Sequence, residues 1–175
     1  MRDAPSPCQL RAMRLPSLDR SLRLPLLLAL VMVGGVLAWR LEKNRDVGLR
    51  LYEEECSICH HGGSGQAAET PPIFDRLNAI AATPEGRTYL TDVLLNGLSG
   101  KIMAAGKPFD WSMPNFRRLS DAELAAILNW IAAQTASAPQ PHFTAQDFAA
   151  RRMPVRSSEL VHAERATLDT AHPLP

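Results

Sequence analysis

Two cysteines three positions apart, with a histidine directly after them, stand at Cys56-Ser57-Ile58-Cys59-His60. Thiols so placed can each add to one vinyl group of a porphyrin, and the adjacent imidazole then lies beneath the ring with a nitrogen able to bind iron. The spacing reads as a covalent haem site. Two other chemistries use the same thiols. A closed zinc site needs four ligands, and no second Cys-x-x-Cys or Cys-His pair follows. A thiol-disulfide exchange pair normally sits in a βαβ pattern, whereas the residues after His60 include Gly62, Gly63, Gly65, Pro71 and Pro72.

The elements that must position these residues belong to a chain of 175 residues with formal charge +1. That is room for one ordinary domain with segments to spare. Near-neutrality gives no sign of a nucleic-acid partner, and only Lys43, Lys101 and Lys107 among 19 cationic residues are lysines, which argues against a lysine-rich docking ring.

Before the motif, residues 24–39 carry no charge and follow Arg2, Arg11, Arg14, Arg20 and Arg23. The run falls between a signal-peptide core and a membrane span in length. Val36-Leu37-Ala38 is an imperfect cleavage site, while Trp39 and Arg40 suit an interfacial anchor, and the anchor is the favoured reading. Either way the basic flank, residues 1–23, stays in the cytoplasm and the chain from residue 41 onward is exported. The expected location is the bacterial inner membrane with the haem domain facing the periplasm, or the periplasm itself after cleavage. Cys8 reads as a reduced bystander, and Met13 offers an alternative start.

The exported part shows helix signals. Gly48 and Tyr52 lie four apart on one face between Asp46 and Cys56, the pattern of a helix that closely approaches another. Thr83-Pro84-Glu85 is a capped start and Asn96-Gly97 a stop. Ser120 and Glu123 form a capping box, with Leu119 and Leu124 placed as its hydrophobic staple, for a helix to about Gln134 whose buried stripe is Leu124, Ile127, Leu128 and Ile131. No sheet is expected. The fold class is therefore all-α: a small helical domain over 46–136, in which the haem supplies apolar surface that a thin core lacks. Beyond it, 137–175 reads as a Pro-containing linker and two short helices, one capped by Thr144 and one from Ser158 to Leu168, which pack back on the domain or contact a partner.

On Gly48, Tyr52, Trp130 and the Cys56-Cys59-His60 motif, the chain resembles the class I cytochromes c over about 46–136. The resemblance implies a small helical fold around one covalent haem c, with Cys56 and Cys59 as thioether sites and His60 as proximal iron ligand. It also implies that the carbonyl of Pro72 accepts a hydrogen bond from the other nitrogen of His60, fixing its tautomer. Three exported methionines compete for the sixth position: Met103, Met113 and Met153. Met113-Pro114, one short loop before the C-terminal helix, resembles the family's Met-Pro arrangement, so His60 and Met113 are the expected metal ligands. His142 and His162 are the alternatives for bis-histidine ligation. Trp111 and Arg87 are candidates to hydrogen-bond a propionate, with core packing for Trp111 and a solvated face for Arg87 as equal alternatives, and Glu53-Glu54-Glu55 is a solvated surface or a steering patch.

The implied function is single-electron transfer by an exported monohaem carrier, not an enzyme, between a redox protein donor and an acceptor. The alternatives are the haem subunit of a multi-subunit membrane oxidoreductase, with a stable complex formed through the C-terminal tail, a haem-based sensor, and a thiol-disulfide exchange protein.

Overall fold

The computed structural model describes residues 20–67, 69–135 and 140–175. The basic segment with Cys8 and Met13, and the first three residues of the linker assigned to 137–141, lie outside the described residues. The chain divides into two units, 1–41 and 42–175. In the first, helix α1 (Arg20–Arg45) carries a 20-residue stretch, Arg23–Glu42, of mean hydropathy 2.0 with no residue buried. At 1.5 Å per residue that stretch is about 30 Å long, the thickness of a bilayer's hydrocarbon core. An apolar helix exposed on every side is compatible with an anchor and equally with a signal sequence.

The second unit is built mainly from helices. α2 (Val47–Glu55) starts where the Asp46 side chain accepts from the amide of Leu49, 3.0 Å. α3 (Ser57–His60) carries the end of the motif and stops at His61, whose φ of 37° leads into a 3-10 turn at His61–Gly63. α4 (Arg76–Ile80) precedes α5 (Pro84–Asn96), which is capped by Thr83 and ends at Gly97. α6 (Asp121–Ala132) begins on the reciprocal Ser120–Glu123 capping box. α7 (Ala145–Ala149) and α8 (Ser158–Ala171) complete the unit, capped by Thr144 and Ser157.

The expectation of no sheet needs correcting. β1 (Ile102–Ala104) and β2 (Lys107–Phe109) pair antiparallel, Ile102 opposite Phe109 and Ala104 opposite Lys107. Their two-residue turn, Ala105-Gly106, has φ of 48° and 72°, the left-handed pair that suits a tight hairpin. Strands of three residues containing Pro108 carry too little alternation to announce themselves.

The core forms where α2 and α6 cross. Leu51, Tyr52, Leu124, Leu128 and Ile131 are buried there, and the Tyr52 ring lies 4.5 Å from that of Trp130, with Phe74 6.0 Å from Tyr52. Gly48 makes the approach possible: a Cβ on it would sit 2.4 Å from the Ala126 carbonyl oxygen and 2.6 Å from the Trp130 Cβ. Backbone at that distance yields only by separating the helices. Gly48→Ala is expected to cost on the order of 1–3 kcal/mol, read as a lower midpoint in thermal unfolding followed by circular dichroism. An unchanged midpoint would mean that the two helices can part at no cost.

The C-terminal segment packs back on this core. Phe143, Phe148 and Val161 are fully buried. The Asn129 side chain donates to the Phe143 carbonyl (2.8 Å) and accepts from its amide (2.7 Å), tying α6 to the chain that enters α7. Asp92 on α5, wholly inaccessible, pairs with Arg151 and with Arg156 (2.6 Å). Arg152 reaches Asp121 at 2.5 Å and the Leu119 carbonyl at 2.5 Å. Arg151, Arg152 and Arg156 are thus the fastening of the segment.

Candidate functional site

His60 stands at the end of α3 because the two turns before it are closed locally: the amide of His60 donates to the Cys56 carbonyl (2.9 Å), and Ser57 Oγ donates to the Glu53 carbonyl (2.7 Å). Its ring is buried, and Nδ1 lies 3.1 Å from the Pro71 carbonyl. A proton on Nδ1 makes that contact a hydrogen bond and leaves Nε2 with its lone pair free. Burial, set against the Pro71 bond and reinforced by the charges of Arg76 and His61, pushes the His60 pKa below its ordinary value. The imidazole is therefore neutral at pH 7, the form that binds a metal.

The acceptor is Pro71, not Pro72 as expected. Each proline ring fixes its own φ, so consecutive carbonyls of the pair point in different directions and only one can face the imidazole. Thr70 decides which: it pairs with Gln66 across a small bridge and donates from Oγ1 to the Cys59 carbonyl, 2.6 Å, which sets the loop's register against the motif. The Pro72 carbonyl instead accepts from Arg76 Nη1, 2.8 Å.

His60, Cys56 and Met113 share one cavity of about 830 Å³, counting its open mouth. Its walls are almost wholly apolar: Leu77 and Ile80 from α4, Leu90 and Leu94 from α5, Ile127 and Leu128 from α6. Cys59, one turn on from Cys56, is exposed and does not line the cavity. Such a cavity suits a large flat apolar group bonded at its edge through two thiols, with one imidazole and one thioether on the walls.

Met113 is held firmly. Its amide and carbonyl exchange hydrogen bonds with Leu98, at 2.8 and 3.0 Å. Gly97, with φ 76°, lies so near that a Cβ would meet the Met113 carbonyl oxygen at 2.6 Å. The competing sulfurs lie elsewhere: Met103 on β1 is 51% exposed and Met153 is 73% exposed, and neither lines the cavity. Nor do His142 and His162, and His162 Nε2 instead lies 2.8 Å from the Lys101 carbonyl.

The alternative uses of the thiols fit poorly. Burial, with the charge of Glu55 next in importance, pushes the Cys56 thiol up to about 12. An exchange nucleophile needs the opposite shift. Among the described residues no group of three or more His, Cys, Asp or Glu side chains gathers as a bare metal site requires.

Neither polar candidate lines the cavity. Arg87 donates to the His142 carbonyl (2.5 Å) and covers the Phe143 ring at 4.6 Å, so it fastens the tail, and Trp111 is exposed outside the cavity. The cations on the cavity wall are Arg76 and Arg165. Burial first, and Arg165 second, bring Arg76 down to about 10, so its guanidinium stays charged at pH 7. Arg165 was legible as an oddity: it shares the buried stripe of α8 with Val161 and Leu168, where an apolar residue is the rule.

Residues 43–131 match the family model described as cytochrome c oxidase, cbb3-type, subunit III. The chain is 33% identical over 147 residues to a cytochrome c-552 of Thermus thermophilus, an alignment covering 81% of this chain and 95% of that protein. It is 35% identical over 126 residues to a second cytochrome c-552 of Thermus thermophilus, covering 69% of this chain and 95% of the relative.

Proposed function

This chain belongs to the c-type cytochrome family, and we propose from that premise that it is an exported one-electron carrier whose haem c is held by Cys56 and Cys59 through thioethers and by His60 and Met113 at the iron. Electron transfer by a covalently bound haem c comes with the family, and the chain converts no substrate. When bound, haem c supplies an iron that gains and loses a single electron.

The chain's own residues do the rest. Pro71 holds the His60 ring so that Nε2 is the donor and makes that nitrogen more basic. Met113 presents a soft, neutral sulfur that favours the reduced metal and raises the reduction potential. With His60 and Met113 both holding the iron, substrates would be kept off the metal and little would rearrange on electron exchange. The apolar walls exclude water, which further tunes the potential. The observation that carries the reading is that His60, Met113 and Cys56 line one apolar cavity while Met103, Met153, His142 and His162 do not.

Helix α1 supports a tether that holds the domain on the periplasmic face, where a raised effective concentration substitutes for tight binding to its redox partners. The match to an oxidase subunit model favours a second reading, a resident haem subunit of a membrane oxidoreductase. Recovery of the detergent-extracted chain in a stable complex would select it, whereas a carrier is recovered alone.

The test is expression with a cytochrome maturation system, followed by denaturing electrophoresis stained for haem. Haem is expected to stay with the polypeptide, to be lost from the Cys56→Ala/Cys59→Ala double variant, and to titrate as a one-electron couple. A colourless chain with two reactive thiols would return the motif to thiol-disulfide exchange.

A further inference from the structure

Met113 reaches the cavity near the end of a long irregular stretch. Between α5 and α6 the β1–β2 hairpin is the one regular element, and Met113 follows β2 by four residues. The two hydrogen bonds with Leu98 close this stretch at its base, outside the hairpin. An isolated hairpin with strands of three residues is not stable in water, so it has to be held from elsewhere.

The hold comes from α8. Among the described residues the sheet has two strands, so β1 keeps one edge without a strand partner. The register sets Met103 opposite Pro108, which has no N–H to give, and the Met103 carbonyl turns away from β2, as does that of Lys101 two residues earlier. Both face α8. His162 Nε2 lies 2.8 Å from the Lys101 carbonyl, and Arg165 Nη2 donates to the Met103 carbonyl at 2.7 Å. A carbonyl oxygen can only accept, so the His162 proton is on Nε2. The two donors are three apart and share a helix face, which suits two carbonyls that share a strand edge. The His162 ring also packs on Gly100, where a Cβ would meet its Cδ2 at 3.0 Å. Val161 and Leu168, both buried, fix α8 itself on the core.

We propose that α8 braces the loop of the sixth iron ligand: His162, with Arg165, caps the open edge of the hairpin and thereby keeps Met113 in the cavity, which makes His162 a positioning residue. This rests on the reading of Met113 as that ligand. It goes beyond it because His162 does not line the cavity and lies outside the 43–131 family match. With the edge released, the Leu98–Met113 pair alone ties the loop, and the sulfur leaves the iron more often. The effect is largest in the oxidised protein, since a thioether favours the reduced metal.

The test uses the full haem-loaded chain with His162→Phe, which keeps a ring over Gly100 and removes the donor, His162→Gln, which restores an N–H, and Asp46→Ala, which removes the distant cap of α2 for a comparable loss of stability. Imidazole binds oxidised iron when the sulfur is off, so its binding rate counts openings of the loop, and hydrogen exchange at the Leu98 and Met113 amides counts them without the metal. Both should rise about fivefold in His162→Phe, the effect of one hydrogen bond, return most of the way in His162→Gln, and stay unchanged in Asp46→Ala. An unmoved imidazole rate in His162→Phe, or an equal rise in Asp46→Ala, overturns the brace while leaving the electron carrier intact. An unaltered oxidised protein that lacks the sulfur-to-iron band overturns the Met113 reading and this one together.

Discussion

Met113→Ala is expected to leave haem attached to the chain, abolish the sulfur-to-iron band near the infrared edge of the oxidised spectrum, and lower the midpoint potential. The fall should be on the order of 100 mV, within the ~0.8 V that axial ligands span. Attachment survives because the thiols of Cys56 and Cys59 sit at the α2–α3 junction, while Met113 arrives on a separate loop paired with Leu98. The potential falls because a neutral thioether, which favours the reduced metal, is gone and water or hydroxide can take its place. Met113→His refills the position with a harder donor, so it should restore a six-coordinate spectrum without restoring the potential. Carbon monoxide should bind the reduced alanine variant tightly and the unaltered protein weakly. A persistent band in Met113→Ala would move the ligand to Met103, at the cost of reorganising the hairpin on which that residue is exposed.

Asp92→Ala should give the largest loss of stability of any single polar substitution considered, about 3 kcal/mol. That is the low end for breaking a buried ion pair, because Arg151 and Arg156 keep some access to water while Asp92 has none. For a chain of this size the loss corresponds to a fall of roughly 6–12 °C in melting temperature. Its consequence is local. Arg151 follows α7 and Arg156 precedes α8, so removing their shared carboxylate frees the segment between them from α5. Limited proteolysis should then cut between residues 150 and 157 before it cuts the core. Asp92→Asn keeps the volume and removes the charge, and should cost nearly as much. A melting temperature within about 1–2 °C of the original, with no new cleavage site, would show that burial of Phe143, Phe148 and Val161 holds the segment without the ion pairs.

Legibility in this chain followed the range of the interaction. Helix starts at Thr83, Ser120 and Thr144 could be read because a cap satisfies amides two or three residues away, and both partners sit in one short window. The crossing of α2 and α6 was legible for a related reason, since glycine and tyrosine four apart mark a face where a second helix comes near. Membrane insertion or export was legible only as a class, because an apolar run of this length satisfies both. The hairpin escaped because its registry is set by a two-residue turn and not by alternation along the strands. The motif's chemistry and the helical class were thus determined by sequence alone, where a few adjacent residues carry the whole physical requirement.

Tertiary structure decided which of two adjacent prolines faces His60, which methionine shares its cavity, and which arginines line it. It also decided that the tail folds back, with Arg151 and Arg156 on Asp92 and Arg165 in the cavity wall. These outcomes join residues far apart in the chain. A long flexible side chain can satisfy its charge in water or against any compatible group, so its sequence position names no partner. Only the packed backbone, which removes water at Asp92 and at the cavity wall, leaves one partner within reach and makes the choice energetically decisive.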